Sequence, residues 1–196
     1  MISSQDRSGY FGASDTDMVL ATNYNTKTFK QWWAVKLGEQ ESAFKGSKYT
    51  EAGNNYEHSI LLTVNEEMNL DRQIIIEKNL LRVNYDGDFN GTLYEVKTHK
   101  ADKVYKVSTK HWRQTQVEMY AYKTMEKELG LPPFKRLYIL SYALYPDEYY
   151  LDLDIEIDFN RIVFHEVKYD KHFIKEECLP RLKEKARALR KGKFMV

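Results

Sequence analysis

Three side chains near the middle of the sequence have the types and the spacing needed for metal-assisted hydrolysis of a phosphodiester: Asp86, Glu95 and Lys97. Glu95 and Lys97 are two residues apart in a predicted strand, so both point to the same face. Two carboxylates that approach each other repel unless a cation lies between them, and hard oxygen ligands suit Mg²⁺. A lysine beside them could orient a metal-bound water or balance the charge of a phosphate.

A tight turn at Asn90-Gly91 is the feature that would bring these residues together. Both positions tolerate a positive φ, which is typical of a β-hairpin between two strands. Paired strands lie about 5 Å apart, so Asp86 on the outgoing strand can approach Glu95 on the returning one. If the strand end is locally unpaired, the backbone carbonyl of Val96 is free to be a third ligand.

The same residue types occur a second time, at Asp158, Glu166 and Lys168. With 30% of the residues charged, such coincidences are expected. Either copy could be an exposed strand that carries a solvated Glu–Lys pair worth under about 1 kcal/mol. The first copy has a hairpin turn, a preceding helix with Glu57 and a long helix after it, whereas the second is followed only by a terminal helix. We therefore favour the first copy.

The elements around these residues predict an α/β (α+β) fold, in which a central mixed β-sheet is flanked by helices. A capping box that opens at Thr28 and a glycine at Gly38 predict the start and the end of one helix. The predicted helices are near 16–21, 28–38, 53–68, 108–129 and 170–191, and the predicted strands are 72–77, 80–86, 92–98, 136–145, 149–158 and 161–167.

Length and composition favour one soluble domain over residues 1–196. A net charge of +1 excludes a histone-like basic protein, and a single cysteine, Cys178, excludes a disulfide framework and a cysteine-based metal cluster. No phosphate-loop glycine pattern occurs, and the histidines show no paired metal-ligand spacing. No apolar secretion signal is evident near the start, and we expect no membrane span.

Four motifs follow one another in an order that is more specific than any one of them. They are Arg7 with Gly12-Ala13-Ser14, Glu57 within Gly53-Asn54-Asn55-Tyr56-Glu57, Asp86-Gly87 with Glu95-Val96-Lys97, and Gln114 with Gln116 and Tyr120. In these motifs the chain resembles the PD-(D/E)XK nuclease superfamily, and within it the lambda-exonuclease/YqaJ-type phage recombination exonucleases. The resemblance runs from about Asp6 to Tyr122 and implies a core like that of the restriction endonucleases.

The resemblance implies a role for each matching residue. Asp86, Glu95 and the carbonyl of Val96 would hold Mg²⁺ or Mn²⁺, Lys97 would position the attacking water, and Glu57 would support a second metal or its waters. Gln114 or Gln116 would orient substrate or metal ligands. Arg7 and Ser14 would receive the 5′-phosphate, although Ser14 could equally be a helix N-cap. Asn84 stands where the family has a phosphate-binding serine, and Tyr85 stands where it often has proline.

By the same resemblance we expect an Mg²⁺-dependent exodeoxyribonuclease that digests double-stranded DNA ends from 5′ to 3′ in phage-type homologous recombination. A ring-shaped homotrimer, a partner that anneals single strands, and a phage or prophage origin in the cytoplasm of a bacterial host are also implied. The alternatives are a structure-specific or restriction-type DNA endonuclease on the same core, and a catalytically inactive DNA-binding module.

Overall fold

The computed structural model describes residues 8–41, 48–150 and 156–195. None of the helices in these ranges combines the length and the apolar content needed to cross a membrane. The helices are α1 (Thr16–Leu20), α2 (Lys27–Leu37), α3 (Lys48–Val64), α4 (Thr109–Met125) and α5 (Leu179–Arg190), and the strands are β1 (Asn69–Ile76), β2 (Leu81–Phe89), β3 (Thr92–Lys100), β4 (Arg136–Leu144) and β5 (Ile162–Val167).

The five strands form one mixed sheet in the order β1-β2-β3-β4-β5. β1, β2 and β3 make an antiparallel meander, β3 and β4 are parallel, and β5 is antiparallel to β4. The parallel pair requires a crossover, and α4 supplies it. Because β3 is paired with β4 over its whole length, from Thr92 to Lys100, it is the fixed central strand of the sheet.

The sheet is covered on both faces. One apolar cluster joins α1, α2, α4 and α5 to the sheet and includes Trp33, Tyr122 and Ile139, all fully buried. The other lies under α3 and includes Ile60 and Leu140. Burial of the two sheet faces by helices is the arrangement that the sequence predicts, so the predicted fold class is confirmed.

The hairpin between β2 and β3 turns at Asn90 and Gly91, as predicted, with φ values of 46° and 82°. Gly91 is also enclosed by the segment before β4. A Cβ at this position would lie 2.1 Å from the carbonyl oxygen of Pro133, and the Gly91 carbonyl accepts a 2.8 Å hydrogen bond from the Lys135 N–H. Only glycine fits at position 91, because the φ is positive and a Cβ has no space.

The predicted strand 149–158 is wrong for the described residues at both of its ends, and 151–155 lie outside them. Asp147–Tyr150 forms a 3₁₀ turn, and Asp158 caps a second one at Phe159–Arg161. A polar contact joins the residues on either side of this segment: the guanidinium of Arg161 donates two 2.7 Å hydrogen bonds to the Glu148 carboxylate. The predicted strand is therefore replaced by short turns at the two ends that the structure describes.

The start of α2 also differs from the prediction. Thr26, not Thr28, is the N-cap, and its side chain accepts a 3.1 Å hydrogen bond from the Phe29 N–H. The end of α2 is as predicted, because Gly38 has the left-handed φ of 74° that a helix C-terminus favours. The terminal helix includes a π-helical turn, Phe173–Cys178, immediately before α5.

Replacing Gly91 with alanine should destabilise the fold by at least about 2 kcal/mol, since strain at a positive φ adds to a clash with backbone. Gly130→Ala is the matched control, because Gly130 has a φ of 64° but open space around its Cβ position. We expect it to cost only about 1 kcal/mol. Urea unfolding of both variants measures the difference, and equal losses would contradict the proposed clash with Pro133.

Candidate active site

The candidate site forms where β2 and β3 part. Their pairing runs from Phe89↔Thr92 to Gly87↔Tyr94 and then stops. At the next position the carboxylate of Asp86 accepts a 2.7 Å hydrogen bond from the Val96 N–H, in place of a backbone partner. In an extended strand the N–H and the C=O of one residue point to the same side, so the Val96 carbonyl also points into this gap.

Glu95 and Lys97 lie on the face of β3 that is turned toward α4. The side chain of Glu95 is buried, with 3% of its surface exposed. Its Oε1 atom accepts hydrogen bonds from the ammonium of Lys97 and, at 2.6 Å, from the amide of Gln114 on α4. The alternation predicted for this strand is confirmed, because the neighbouring Val96 belongs to the cluster under α3.

The charges at this position do not balance. Burial raises the pKa of Asp86 well above its usual range, and the negative charges of Glu95 and Glu57 raise it further. Burial, and then Glu95, also raise the pKa of Glu57 to about 7. Burial lowers the pKa of Lys97, but Glu95 and Asp86 outweigh it and hold that pKa above its usual value. Among the described residues, the Lys97 ammonium therefore faces more than one acidic side chain, and Asp86, Glu95 and Glu57 act on one another.

This donor set fits a hard divalent cation. Carboxylate and carbonyl oxygens are the ligands of Mg²⁺ and Mn²⁺, and Asp86, Glu95 and Val96 bring such oxygens to one gap. A cation at this gap would offset the repulsion that raises the pKa of Asp86. The residues present are therefore able to hold the metal that the sequence suggests.

Two glycines let α3 lie close to the strands and so place Glu57 at the gap. A Cβ on Gly53, one turn before Glu57, would be 3.3 Å from the hydroxyl of Thr98 on β3. A Cβ on Gly87 would be 2.9 Å from the Leu61 side chain, one turn after Glu57. The helix thus rests on both strands, on either side of the residue that contributes the carboxylate.

Asp71 on β1 and His58 on α3 also lie in this region, and the sequence analysis missed both. Asp71 lies across from Asp86, between the pairs Leu70↔Gly87 and Arg72↔Tyr85, and has a φ of 55°. The imidazole of His58 is 3.1 Å from the Asp71 carboxylate. Ligand atoms of Glu57, His58 and Asp71 lie within 4.8 Å of one another. His58 directly follows Glu57 in the sequence, which was the available signal, whereas nothing in the sequence marks Asp71.

The regular alternation of β1 and β2 reverses near Asp71 and Asp86. Ile74 and Val83 belong to the cluster beneath α4, whereas Leu70 and Phe89 pack against the cluster beneath α3. In a regular strand, residues an even number apart share a face. A non-glycine residue at positive φ is costly and is often found at functional sites. At this irregularity the Asp86 carboxylate lies against β3 and accepts the hydrogen bond from the Val96 N–H.

The two glutamines of α4 point to different places. Gln114 bridges Glu95 to Glu118, with a 2.9 Å hydrogen bond to the latter. Gln116 is fully buried and instead holds the segment after β5, donating to the Lys168 carbonyl at 2.9 Å and accepting from the Asp170 N–H at 2.7 Å. Of the two, only Gln114 is hydrogen-bonded to Glu95.

Glu118 is a further buried acid that the sequence analysis missed. It lies one helical turn after Gln114, which is a spacing that brings two side chains to one face of a helix. Burial, and then the charge of Glu95, raise the pKa of Glu118 well above its usual range. Gln114 is thus held between two carboxyl groups, and this fixes the direction of its amide.

Two of the expected 5′-phosphate residues, Ser14 and Asn84, are described by the structure, and neither shares a hydrogen bond with Glu95 or Asp86. Arg7 is outside the described residues. Ser14 is exposed in the turn Ala13–Asp15, where it is not the N-cap: Gly12 caps the turn and Asp15 precedes α1, so the alternative interpretation of Ser14 is wrong. Asn84 is exposed on β2, where its side-chain oxygen accepts a 2.9 Å hydrogen bond from Gln73.

The second copy of the motif is not assembled. Glu166 and Lys168 are exposed at the edge of the sheet, on and just after β5. The Asp158 carboxylate accepts a 2.9 Å hydrogen bond from the Asn160 N–H, which makes it the cap of a short turn. The chain therefore buries its acids at the first copy and leaves the second in solvent.

No protein-family model matches this chain, and no curated protein sequence matches it. Among solved structures, it is similar to an alkaline exonuclease, LHK-Exo, from Laribacter hongkongensis, with a TM-score of 0.59 and 14% identity over 94% of this chain and 88% of the other. It is also similar to a phage-related exonuclease from Haemophilus somnus 129PT, with a TM-score of 0.57 and 14% identity over 93% of this chain and 92% of the other. The chain has the fold of these two exonucleases. The resemblance seen in the motifs is thereby confirmed for the fold.

Asp86→Asn should have opposite effects without and with metal. The substitution removes one repelling charge, so the metal-free protein should become more stable. The Oδ1 atom of the new asparagine can still accept the hydrogen bond from the Val96 N–H. Added Mg²⁺ or Mn²⁺ should stabilise the wild type by about 2–3 kcal/mol at a hundred times its dissociation constant. The variant should lose that gain.

Thermal unfolding in a chelator and in excess metal measures both effects. Glu166→Gln is the control, and it should retain the metal-dependent gain of the wild type. If metal still stabilises Asp86→Asn, or no longer stabilises Glu166→Gln, the cation binds elsewhere.

Proposed function

We propose that this protein is an Mg²⁺- or Mn²⁺-dependent exodeoxyribonuclease that digests linear double-stranded DNA from 5′ to 3′. One observation carries the proposal: where β2 and β3 part, the Asp86 carboxylate accepts a hydrogen bond from the Val96 N–H, and beside it the buried Glu95 carboxylate accepts one from the Lys97 ammonium. The fold shared with two exonucleases supports the assignment to nucleases.

Asp86, Glu95 and the Val96 carbonyl hold the metal in this proposal. A bound divalent cation stabilises the charge that develops on a phosphodiester and lowers the pKa of a bound water. Lys97 orients that water or offsets charge on the phosphate, because its ammonium is fixed by the Glu95 carboxylate at the edge of the gap. The burial of Glu95 keeps the ligand in one position.

Glu57 and Gln114 have supporting roles. Glu57 offers a carboxylate from α3 on the far side of the gap and is near enough to Glu95 for the latter to raise its pKa. It would therefore support a second metal or its waters, together with His58 and Asp71. Of the two glutamines, we assign the site role to Gln114, since its amide contacts Glu95.

Recognition of the 5′ end is assigned to Arg7, Ser14 and Asn84. An arginine fork matches phosphate oxygens, and serine and asparagine side chains can donate to them. The exposure of Ser14 and Asn84 leaves both accessible to a DNA end. A terminal phosphate carries more negative charge than an internal diester, so this group would favour phosphorylated ends.

The wider role follows from the family resemblance. Digestion of one strand would expose a 3′ single strand for phage-type homologous recombination in the cytoplasm of a bacterial host. A single-strand annealing protein is the partner that such a product requires. A ring-shaped homotrimer would keep the enzyme on its DNA between successive cleavages.

Glu95→Ala should abolish DNA cleavage, whereas Glu166→Ala should cleave at nearly the wild-type rate. The first removes a buried metal ligand and the second an exposed carboxylate of the unassembled copy. Release of labelled nucleotides from linear duplex in Mg²⁺ measures both, and a chelator should stop the wild type. Loss of activity in Glu166→Ala alone would overturn the site assignment.

The wild type should digest linear duplex and leave closed circular DNA intact, because an exonuclease needs an end. In the same assay, linear DNA with a 5′-phosphate should be digested faster than DNA with a 5′-hydroxyl. Gel analysis of the three substrates gives the result. Nicking of the circle would favour the endonuclease alternative, and absence of cleavage on every substrate would favour an inactive DNA-binding module.

A further inference from the structure

Four ring side chains gather beside Lys97. Tyr105, in the connection between β3 and α4, is at their centre. Its ring centroid is 5.8 Å from that of His99, 5.9 Å from His111 and 5.1 Å from His165. All four rings are half-buried, so each keeps part of its surface in solvent. We call these four residues the imidazole cluster.

Hydrogen bonds fix the cluster to three elements of the fold. The Tyr105 hydroxyl is 2.8 Å from Nδ1 of His111 on α4. Nε2 of His165 on β5 is 2.9 Å from the hydroxyl of Ser141 on β4. Ser141 is paired in register with Lys97 on β3. The rings are therefore held in place next to the strand that carries the candidate catalytic lysine.

The cluster is close enough to the candidate active site for Lys97 and Glu95 to act on the pKa values of Tyr105 and His111. Burial raises the pKa of Tyr105 to about 12, and the charges of Lys97 and Glu95 both act on it. Burial, and then Lys97, lower the pKa of His111. Burial, and then His99, lower that of His165. A lowered pKa favours the neutral ring of His111 and of His165, and such rings are suited to the flat face and the polar edges of a base.

The imidazole cluster is also unlike a metal site. Within the described ranges, the group of His, Cys, Asp and Glu side chains whose ligand atoms converge is Glu57, His58 and Asp71. None of the three histidines around Tyr105 belongs to it. Their shared feature is the contact of their rings with one phenol: the His111 ring is stacked on it at an interplanar angle of 8°, and the His99 and His165 rings are tilted against it at 35° and 53°.

We propose that the imidazole cluster is a subsite that receives an unpaired nucleobase next to the phosphodiester bound at Asp86, Glu95 and Lys97. The proposal rests on the proposed nuclease function and names the form of its substrate. His99 is two residues beyond Lys97 on the same face of β3, about 7 Å away, which is within reach of a neighbouring nucleotide. A base that lies against these rings has left the duplex stack, so the enzyme would hold its DNA end locally unpaired.

A structural role for the cluster would be different. The rings could simply fasten residues 101–108 to the sheet, in which case their removal would impair the enzyme whatever the DNA carries. Coupling between a ring and a base distinguishes the two roles. The test therefore removes the ring from the protein and the base from the DNA, singly and together, and asks whether their effects on the cleavage rate are independent.

The experiment measures single-turnover cleavage of 5′-phosphorylated linear duplex in Mg²⁺, with an abasic site at the terminal nucleotide or at the next one. Stacking on an aromatic side chain is worth about 1–3 kcal/mol per base. For the wild type we expect one of the abasic substrates to be cleaved about tenfold more slowly than intact DNA. Tyr105→Ala and His165→Ala should be slowed about as much on intact DNA, with no further loss on that abasic substrate.

Two more variants complete the design. Tyr105→Phe keeps the ring and should retain the dependence on the base. His172→Ala removes an exposed histidine outside the cluster and should behave as the wild type on every substrate. Thermal unfolding of each variant identifies any that fails to fold, and if Tyr105→Ala does so, His165→Ala decides the result.

Each outcome has one meaning. Loss of the base dependence in Tyr105→Ala or His165→Ala supports the subsite. The subsite is overturned if the substitution and the missing base slow cleavage by independent factors, or if the wild type cleaves intact and abasic DNA at equal rates. Either result leaves the nuclease assignment in place. If the wild type cleaves none of the substrates, the proposed function itself fails, and this inference fails with it.

Discussion

The 2.7 Å hydrogen bond from the Val96 N–H to the Asp86 carboxylate is the contact on which the candidate site depends. Two antiparallel strands normally satisfy each other's backbone groups, and β2 and β3 do so only as far as Gly87 and Tyr94. Beyond that point a side chain replaces the missing backbone partner. The replacement keeps the strands close enough for Asp86 and Glu95 to share a cation and leaves the Val96 carbonyl directed into the gap.

This arrangement concentrates negative charge in a buried place, which is unfavourable for the protein without metal. Burial and mutual repulsion raise the pKa of Asp86 and of Glu57, while Lys97 offsets only part of the charge. The core holds the site together in spite of this cost. Close packing of α3 at Gly53 and Gly87 fixes one side, and the Gln114 amide from α4 fixes the other. The stability of the fold thus maintains a group of acidic side chains whose mutual repulsion a bound cation would offset.

The two copies of the acidic motif show why residue spacing alone does not define a site. Both have an aspartate followed by Glu-x-Lys, and both place the Glu-x-Lys on or beside a strand of the sheet. β3 is a central strand between β2 and β4, so Glu95 is desolvated and has fixed partners. β5 is an edge strand, and Glu166 is in water, where a Glu–Lys pair contributes little. Position in the sheet, which the local sequence does not encode, separates the two.

The sequence by itself determined what short-range chemistry controls. Asn90-Gly91 specified the hairpin because few other residues adopt positive φ at low cost, and period-two alternation put Glu95 and Lys97 on one face. Tertiary structure decided the rest. Gln114 and Gln116 are equivalent as helix formers, and only the packing of α4 against β3 and the segment after β5 sends one to Glu95 and the other to backbone groups. Asp71 reaches the site solely because β1 pairs with β2 and breaks its alternation there, since contacts between distant segments depend on the whole sheet.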